Sequence, residues 1–397
     1  MEDCVFSHAF IISREFEYQF GSGKAQPTEK KRIVFSSSTM KWIPNQLLDS
    51  FPNVEILYLE NLQTEAIKSD VFRNGTRIKR LYLGNNNIET LDDDVFDDLH
   101  AMELISLDEN RLVGLPPTLF QQARKLKTLT IAGNNLERIE DGTFHFTIEL
   151  AFVNISHNKV NFFKFALIPS LLDIDVSFNK LKEVTVSQRL QYMNASYNHI
   201  GIVTGFSRKL RVLDLTSNNI HQTRWVQQFP ELVELYLSHN QLREIESEPF
   251  LQLNHLQILL LHNNQLFAVD PSMNLPMLRV FDLSHNNLVN LDNMVHHLNK
   301  LESLSLDHNS LVTITPRVKN DQICISLAYN DWDCANLWTL SSALPQTAIK
   351  DRDGNCPAPY EDVRGICCRQ NAATPYLERL LEINKESRKC EVDEKTN

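Results

Sequence analysis

The sequence predicts an α/β solenoid: a horseshoe of about fourteen stacked units whose short strands line one concave face as a parallel sheet, with a cap at each end. Three observations predict it. A leucine–asparagine motif returns every 19 to 24 residues, each motif alternates apolar with polar residues, and six of the seven cysteines fall in the last 74 residues.

The motif is L-x-x-L-x-L-x-x-N, the signature of a leucine-rich repeat. Its asparagines are Asn86, Asn110, Asn134, Asn158, Asn179, Asn198, Asn218, Asn240, Asn264, Asn286, Asn309 and Asn330. Two earlier units carry Leu62 and Ser38 at the asparagine place, the first of them opening on Ile33-Val34-Phe35. Pairs such as Leu81/Leu83, Leu213/Leu215 and Leu304/Leu306 have the period of a half-buried strand. One unit's leucines cannot make a core alone, so units stack and share one. At about 4.8 Å per strand the inner face would run on the order of 65 Å. The asparagine stands where the chain leaves the strand, and its amide is expected to satisfy backbone groups that no ladder reaches.

Behind the strand, phenylalanine recurs ten places after the asparagine position at Phe72, Phe96, Phe120, Phe144 and Phe250, which reads as a core spine. The shorter units between Asn158 and Asn218 lack it and leave little room for a helical turn; extended backbone is expected there, with a local change of curvature.

A net charge of −11 argues against a nucleic-acid partner, which needs Lys and Arg contacts to phosphate. The acidic run Asp92-Asp93-Asp94 with Asp97 and Asp98 reads as a solvated outer face. No run of about 20 apolar residues spans a membrane. The chain opens on acidic Met1-Glu2-Asp3 rather than a basic-then-apolar leader, which leaves a cytosolic chain or a mature secreted one. Cysteine usage chooses secretion. Cys324, Cys334, Cys356, Cys367, Cys368 and Cys390 cluster after the repeats, where the open end of the core must be covered, and zinc finds no C-x-x-C pair or nearby histidine pair. Sequons at Asn74, Asn154 and Asn194 agree with export as a glycoprotein.

Four segments follow: an amino-terminal cap over 1–32, repeats over 33–330, a disulfide-bonded cap over 331–370, and an amphipathic helix over 371–397 that could begin a coiled coil. The alternation in Val5-Phe6, Phe10-Ile11-Ile12 and Phe16 to Phe20 predicts a hairpin-like first cap, with Cys4 as a buried or modified thiol. At the other end Asn330-Asp331-Trp332-Asp333-Cys334 resembles the N-x-W-x-C opening of extracellular repeat caps. Adjacent cysteines bridge each other rarely, so Cys334 and Cys356 should pair with Cys367 and Cys368 in one of two orders. Tyr376, Leu377, Leu380, Leu381 and Asn384 share one helical face, and Cys390 beyond them has nothing to pair with inside the chain, which points to an interchain disulfide.

A repeat solenoid, a four-cysteine cap with a Cys367-Cys368 doublet, and a helix bearing one more cysteine together resemble the mosquito leucine-rich-repeat immune proteins, nearest the Anopheles Plasmodium-responsive leucine-rich-repeat group. The resemblance covers about 33 to 397, and the doublet with Cys390 is its specific part. It implies a haemolymph protein of innate defence that pairs with a second leucine-rich-repeat member through an interchain cysteine, to which Cys390 corresponds by position, and through coiled coils. It also implies that the pair holds a complement-like thioester protein and delivers it to parasites or bacteria. The sequence departs from that pattern at both ends, having no leader and stopping where a long coiled coil would begin; a homodimer of this short form is then expected.

The concave register gives a candidate binding surface: Tyr58, Tyr82 and Tyr236 in the strands, and His157, Tyr197, His239, His285, His308 and Tyr329 just before the asparagines, with Phe178 among the latter and His262 one place earlier in its unit. Tyrosine and histidine on a rigid sheet suit recognition, although S-H-N and S-Y-N are also ordinary spellings of this stretch of a repeat. A metal site from His285 and His308 is not expected, because no carboxylate completes it at a defined spacing. No nucleophile–base pair, phosphate loop or paired carboxylates stand outside the repeat register, so neither catalysis nor a cofactor is expected. A soluble immune carrier and the ectodomain of a receptor or matrix-binding protein remain, and the helix with Cys390 favours the first.

Overall fold

At the centre of each short strand stands one apolar side chain that water does not reach. Leu57, Leu81, Ile105, Leu129, Val153, Ile174, Met193 and Leu213 are all fully buried, while their strand neighbours, the buried Ser106 apart, are half-exposed or exposed. The computed structural model describes residues 3–13, 18, 20, 29–291, 300–314, 323–345 and 347–370. The chain falls into two compact units, Met1–Asn219 and Ile220–Asn397.

In the first unit, parallel strands succeed one another in chain order from Asp3–Ser7 and Arg32–Ser36 to Val212–Asp214. The predicted hairpin is replaced by one more solenoid turn: Asp3–Ser7 lies parallel to Arg32–Ser36, with Cys4 opposite Ile33 and Phe6 opposite Phe35. Alternation alone cannot separate the two arrangements. Connection length does, because parallel strands need a crossover of a dozen or more residues, and 29 positions separate Cys4 from Ile33. Cys4 thus occupies the inward leucine place and is buried.

The asparagines do what their position demands. The Asn158 amide oxygen accepts from Leu136 N at 3.0 Å, and its nitrogen donates to Ile131 O, Ile155 O and Ser156 O at 2.9, 3.0 and 3.1 Å. Asn86, Asn110 and Asn134 repeat this bridge between successive turns. Ser38, standing in for asparagine, accepts from Ala9 N and donates to Ser36 O. Phe72, Phe96, Phe120 and Phe144 form the buried spine, with successive ring centroids 5.9, 6.1 and 5.8 Å apart. The short unit after Asn158 departs from the expectation of extended backbone, keeping a 3-10 turn over Phe165–Leu167, whereas in the next two Glu183–Val186 and Ile202–Gly205 are extended and pair in parallel as expected. Gly205 is required there: its φ is +94°, and a Cβ would sit 2.2 Å from Val186 O.

In the second unit, Glu234–Tyr236, Ile258–Leu260, Val280–Asp282, Ser303–Ser305 and Cys324–Ser326 pair in parallel in that order. The cap follows. Asp333 caps the helix Cys334–Ala343 by accepting from Ala335 N and Asn336 N. Trp332 is fully buried and donates its indole N–H to Leu327 O at 2.8 Å. Of the two disulfide orders, the fold takes Cys334–Cys368 and Cys356–Cys367. The last strand would leave donors with no next turn to meet. Asp351 takes them, accepting from Leu327 N and Ala328 N at 2.8 and 2.6 Å, and Asp353 accepts from Tyr329 N. Cys324 is a free, half-buried thiol in that strand. Cys390 and the helix expected over 371–397 lie outside the described residues.

Candidate binding surface on the strand face and its flanking turns

The strand face divides its polar residues into two kinds. One kind serves the fold. The Asn154 side chain accepts from Ser156 N, Asp175 from Ser177 N and Oγ, Asn194 from Ser196 N and Oγ, Asp214 from Thr216 N, and Asp282 from Ser284 N and Oγ. Each closes its own turn at the strand end. Burial pushes the Asp214 carboxyl up, and the Asp175 charge beside it pushes the same way. Ser106 and Thr130 donate to Asp108, whose other oxygen accepts from Ala132 N. Asn154 and Asn194 also carry two of the sequons, so a glycan on either would stand on the strand face; Asn74 lies on an exposed turn, where it donates to Asp49.

The second kind is aromatic and faces solvent. Tyr58 and Tyr82 stack with centroids 4.5 Å apart and planes 4° from parallel, and the Arg32 guanidinium lies 4.9 Å above Tyr58. Burial pushes the Tyr82 phenol up, with Tyr58 contributing. In the same unit His157, Phe178 and Tyr197 form a continuous stack, with centroid distances of 4.2 and 4.3 Å. In the second unit His285, His308 and Tyr329 form another, at 4.0 and 4.3 Å. His239 meets His262 edge-on at 5.2 Å; burial lowers its pKa, and His262 and His285 push the same way. Tyr236 stays with its own strand, donating to Glu234 at 2.6 Å.

These stacks have a backbone cause that sequence reading missed. The residue before the asparagine is left-handed in turn after turn: His157, Phe178, Tyr197, His239, His285, His308 and Tyr329 all have φ between +52° and +55°. Identical backbone at successive turns points successive side chains the same way, so planar rings there must stack. An L-residue with a Cβ costs on the order of 1 kcal/mol in this region, and Gly or Asn relieves it. A signal was available: Asn61, Asn85, Gly133 and Asn263 hold the same place in sister turns and share the positive φ.

The expectation that no carboxylate completes the His285–His308 pair does not hold. A carboxylate does stand beside the histidine pair: Asp307 Oδ2 is 3.0 Å from His308 Nδ1, and ligating atoms of His285, Asp307 and His308 all lie within 4.8 Å of one another. It comes from the residue next to His308 rather than from another repeat, so no spacing rule flags it.

Stacked turns on a parallel sheet, an asparagine bridge between turns, and a two-disulfide cap define a leucine-rich-repeat solenoid. The leucine-rich-repeat family model matches residues 52–112, 102–160, 124–181 and 208–266. The LRIM1/APL1C complex is similar at 35% identity and a TM-score of 0.90, covering 98% of this chain and 74% of that one. The APL1 leucine-rich-repeat domain is similar at 35% identity and a TM-score of 0.88, covering 93% and 99%. The chain belongs to the mosquito leucine-rich-repeat immune family of the Anopheles APL1 and LRIM1 proteins. Osteomodulin of Bos taurus is 29% identical over 177 residues, 40% of this chain and 41% of that protein; the chain spans less than half the length of the curated relatives it matches. No helix among the described residues is long and apolar enough to cross a membrane.

Proposed function

We propose that this chain is a secreted, non-catalytic scaffold of innate immunity that pairs with a second leucine-rich-repeat protein. The observation that carries the reading is its 35% identity, over 98% of its length, with the structure of a complex between two such proteins. The disulfide cap supports an oxidising, extracellular home such as haemolymph. In this reading Cys390 makes the interchain disulfide, the segment 371–397 leads into a coiled coil, and the assembled pair binds a complement-like thioester-containing protein against parasites and bacteria. The rows of tyrosine and histidine on the strand side are the recognition surface, because rigid, solvent-facing rings lose little entropy on binding.

The test is co-secretion with a second family member, followed by non-reducing electrophoresis and affinity capture of a purified thioester protein. The expected result is a disulfide-linked heterodimer, lost in Cys390→Ser, that captures the thioester protein where either chain alone does not. A heterodimer band that survives Cys390→Ser would move the interchain bond to Cys4 or Cys324. No association of any kind would remove the pairing reading. If the chain expressed alone gives a disulfide homodimer that Cys390→Ser abolishes, the same thiol is reactive between copies.

A further inference from the structure

We propose that His285, Asp307 and His308 form a binding site for a divalent transition-metal ion of the zinc type. Two successive turns present imidazoles from the same left-handed backbone position, φ +52° and +54°, with ring centroids 4.0 Å apart. Asp307 adds a carboxylate 3.0 Å from His308 Nδ1, and the three donor atoms fit within 4.8 Å. Two imidazoles and a carboxylate suit zinc, and by the usual affinity order also nickel and copper, better than the oxygen-seeking calcium or magnesium.

Tetrahedral zinc with ligands at about 2.0–2.1 Å requires donors about 3.3 Å apart. The site must therefore contract by at most about 1.5 Å. Both histidines are exposed, so rotation of their side chains supplies that movement without displacing the strands. The rings are 14° from parallel, which aims their lone pairs side by side, so metal binding must splay them and loosen the His308–Tyr329 stack. Three protein ligands leave a fourth position open to solvent. Should Asp307 stay on His308 Nδ1 rather than reach the ion, it orients the ring for binding through Nε2, a role whose loss costs about 10–100-fold in metal affinity.

The left-handed backbone also supplies a clean variant. Asn85 and Asn263 occupy the same place in sister turns, so His285→Asn and His308→Asn fit the backbone and keep the fold. His239→Asn, at the equivalent place two turns earlier, is the matched control. The full chain, its free thiols alkylated, is titrated with zinc by calorimetry and with cobalt by visible absorption at neutral pH. One ion should bind, with cobalt bands reporting the coordination geometry. Affinity should drop at least about tenfold in His285→Asn, in His308→Asn and in Asp307→Asn, with His239→Asn unchanged. Binding that is equal in all four variants, or absent up to about 1 mM zinc, would overturn the proposal.

Discussion

Asn158→Ala tests the asparagine bridge on which the stacking rests. The substitution removes an acceptor for Leu136 N and two N–H groups shared by three carbonyls, all buried. A buried donor left unpaired costs about 1–3 kcal/mol, and each ordinary hydrogen bond contributes about 0.5–1.5 kcal/mol. The orphaned Leu136 amide together with the lost carbonyl bonds comes to about 2–4 kcal/mol. Asn330 makes the same four bonds, but part-buried ones that water can replace, so Asn330→Ala should cost about half as much. Urea unfolding followed by circular dichroism gives the two totals. Hydrogen exchange at Leu136 gives the local term, which should accelerate at least about tenfold, since 1.4 kcal/mol is a factor of ten. A loss under about 0.5 kcal/mol in Asn158→Ala, or equal losses at the two sites, would refute the reasoning.

Three further outcomes follow from the geometry. Gly205→Ala places a Cβ against the Val186 carbonyl at a positive φ, so it should destabilise by more than about 1 kcal/mol and lower the melting temperature in differential scanning calorimetry; an unchanged melting temperature would mean the strand pair can part freely. Hydrogen bonds from Lys31 and then Lys79 hold the Glu55 carboxyl at about 2, and those from Ser272 and Ser247 hold Asp270 at about 2. Both folded-state values lie below the ordinary ones, so the stability these groups add is complete above about pH 4.5 and lost as pH falls toward 2. Thermal melts across that window should decline less steeply in Glu55→Gln, and a parallel decline would contradict the assignment. Glycans at Asn154 and Asn194 should keep protein partners off the strand face there; exchange protection of 152–154 by a partner, with the glycan intact, would contradict that.

The repeat pattern, the strand register and the phenylalanine spine are legible because each is written once per turn, and repetition averages out chance; the short units were legible only in part, since the one after Asn158 keeps a 3-10 turn over Phe165–Leu167. Features that occur once are not legible. The first cap alternates like a hairpin, and only the long connection from Cys4 to Ile33 shows it to be another turn. The carboxylates that finish the last strand, Asp351 and Asp353, belong to no motif, since any loop able to bring an acceptor to those donors would serve. The aromatic rows were half legible. The register named the residues, but the backbone twist that stacks them appears in sequence only through the Gly and Asn of other turns.

That twist has a consequence for how such a molecule changes over generations. A side chain before the asparagine points to solvent and carries a backbone penalty of similar size for most residues, which Gly and, in part, Asn and Asp escape. Exchanging one letter there rewrites the outward row while the hydrophobic interior keeps its shape. The solenoid thus behaves as a type case: the frame is constant, the characters stand in a line at a set pitch, and a new message needs only single substitutions. Closely related copies can differ sharply in what they grip while remaining equally foldable.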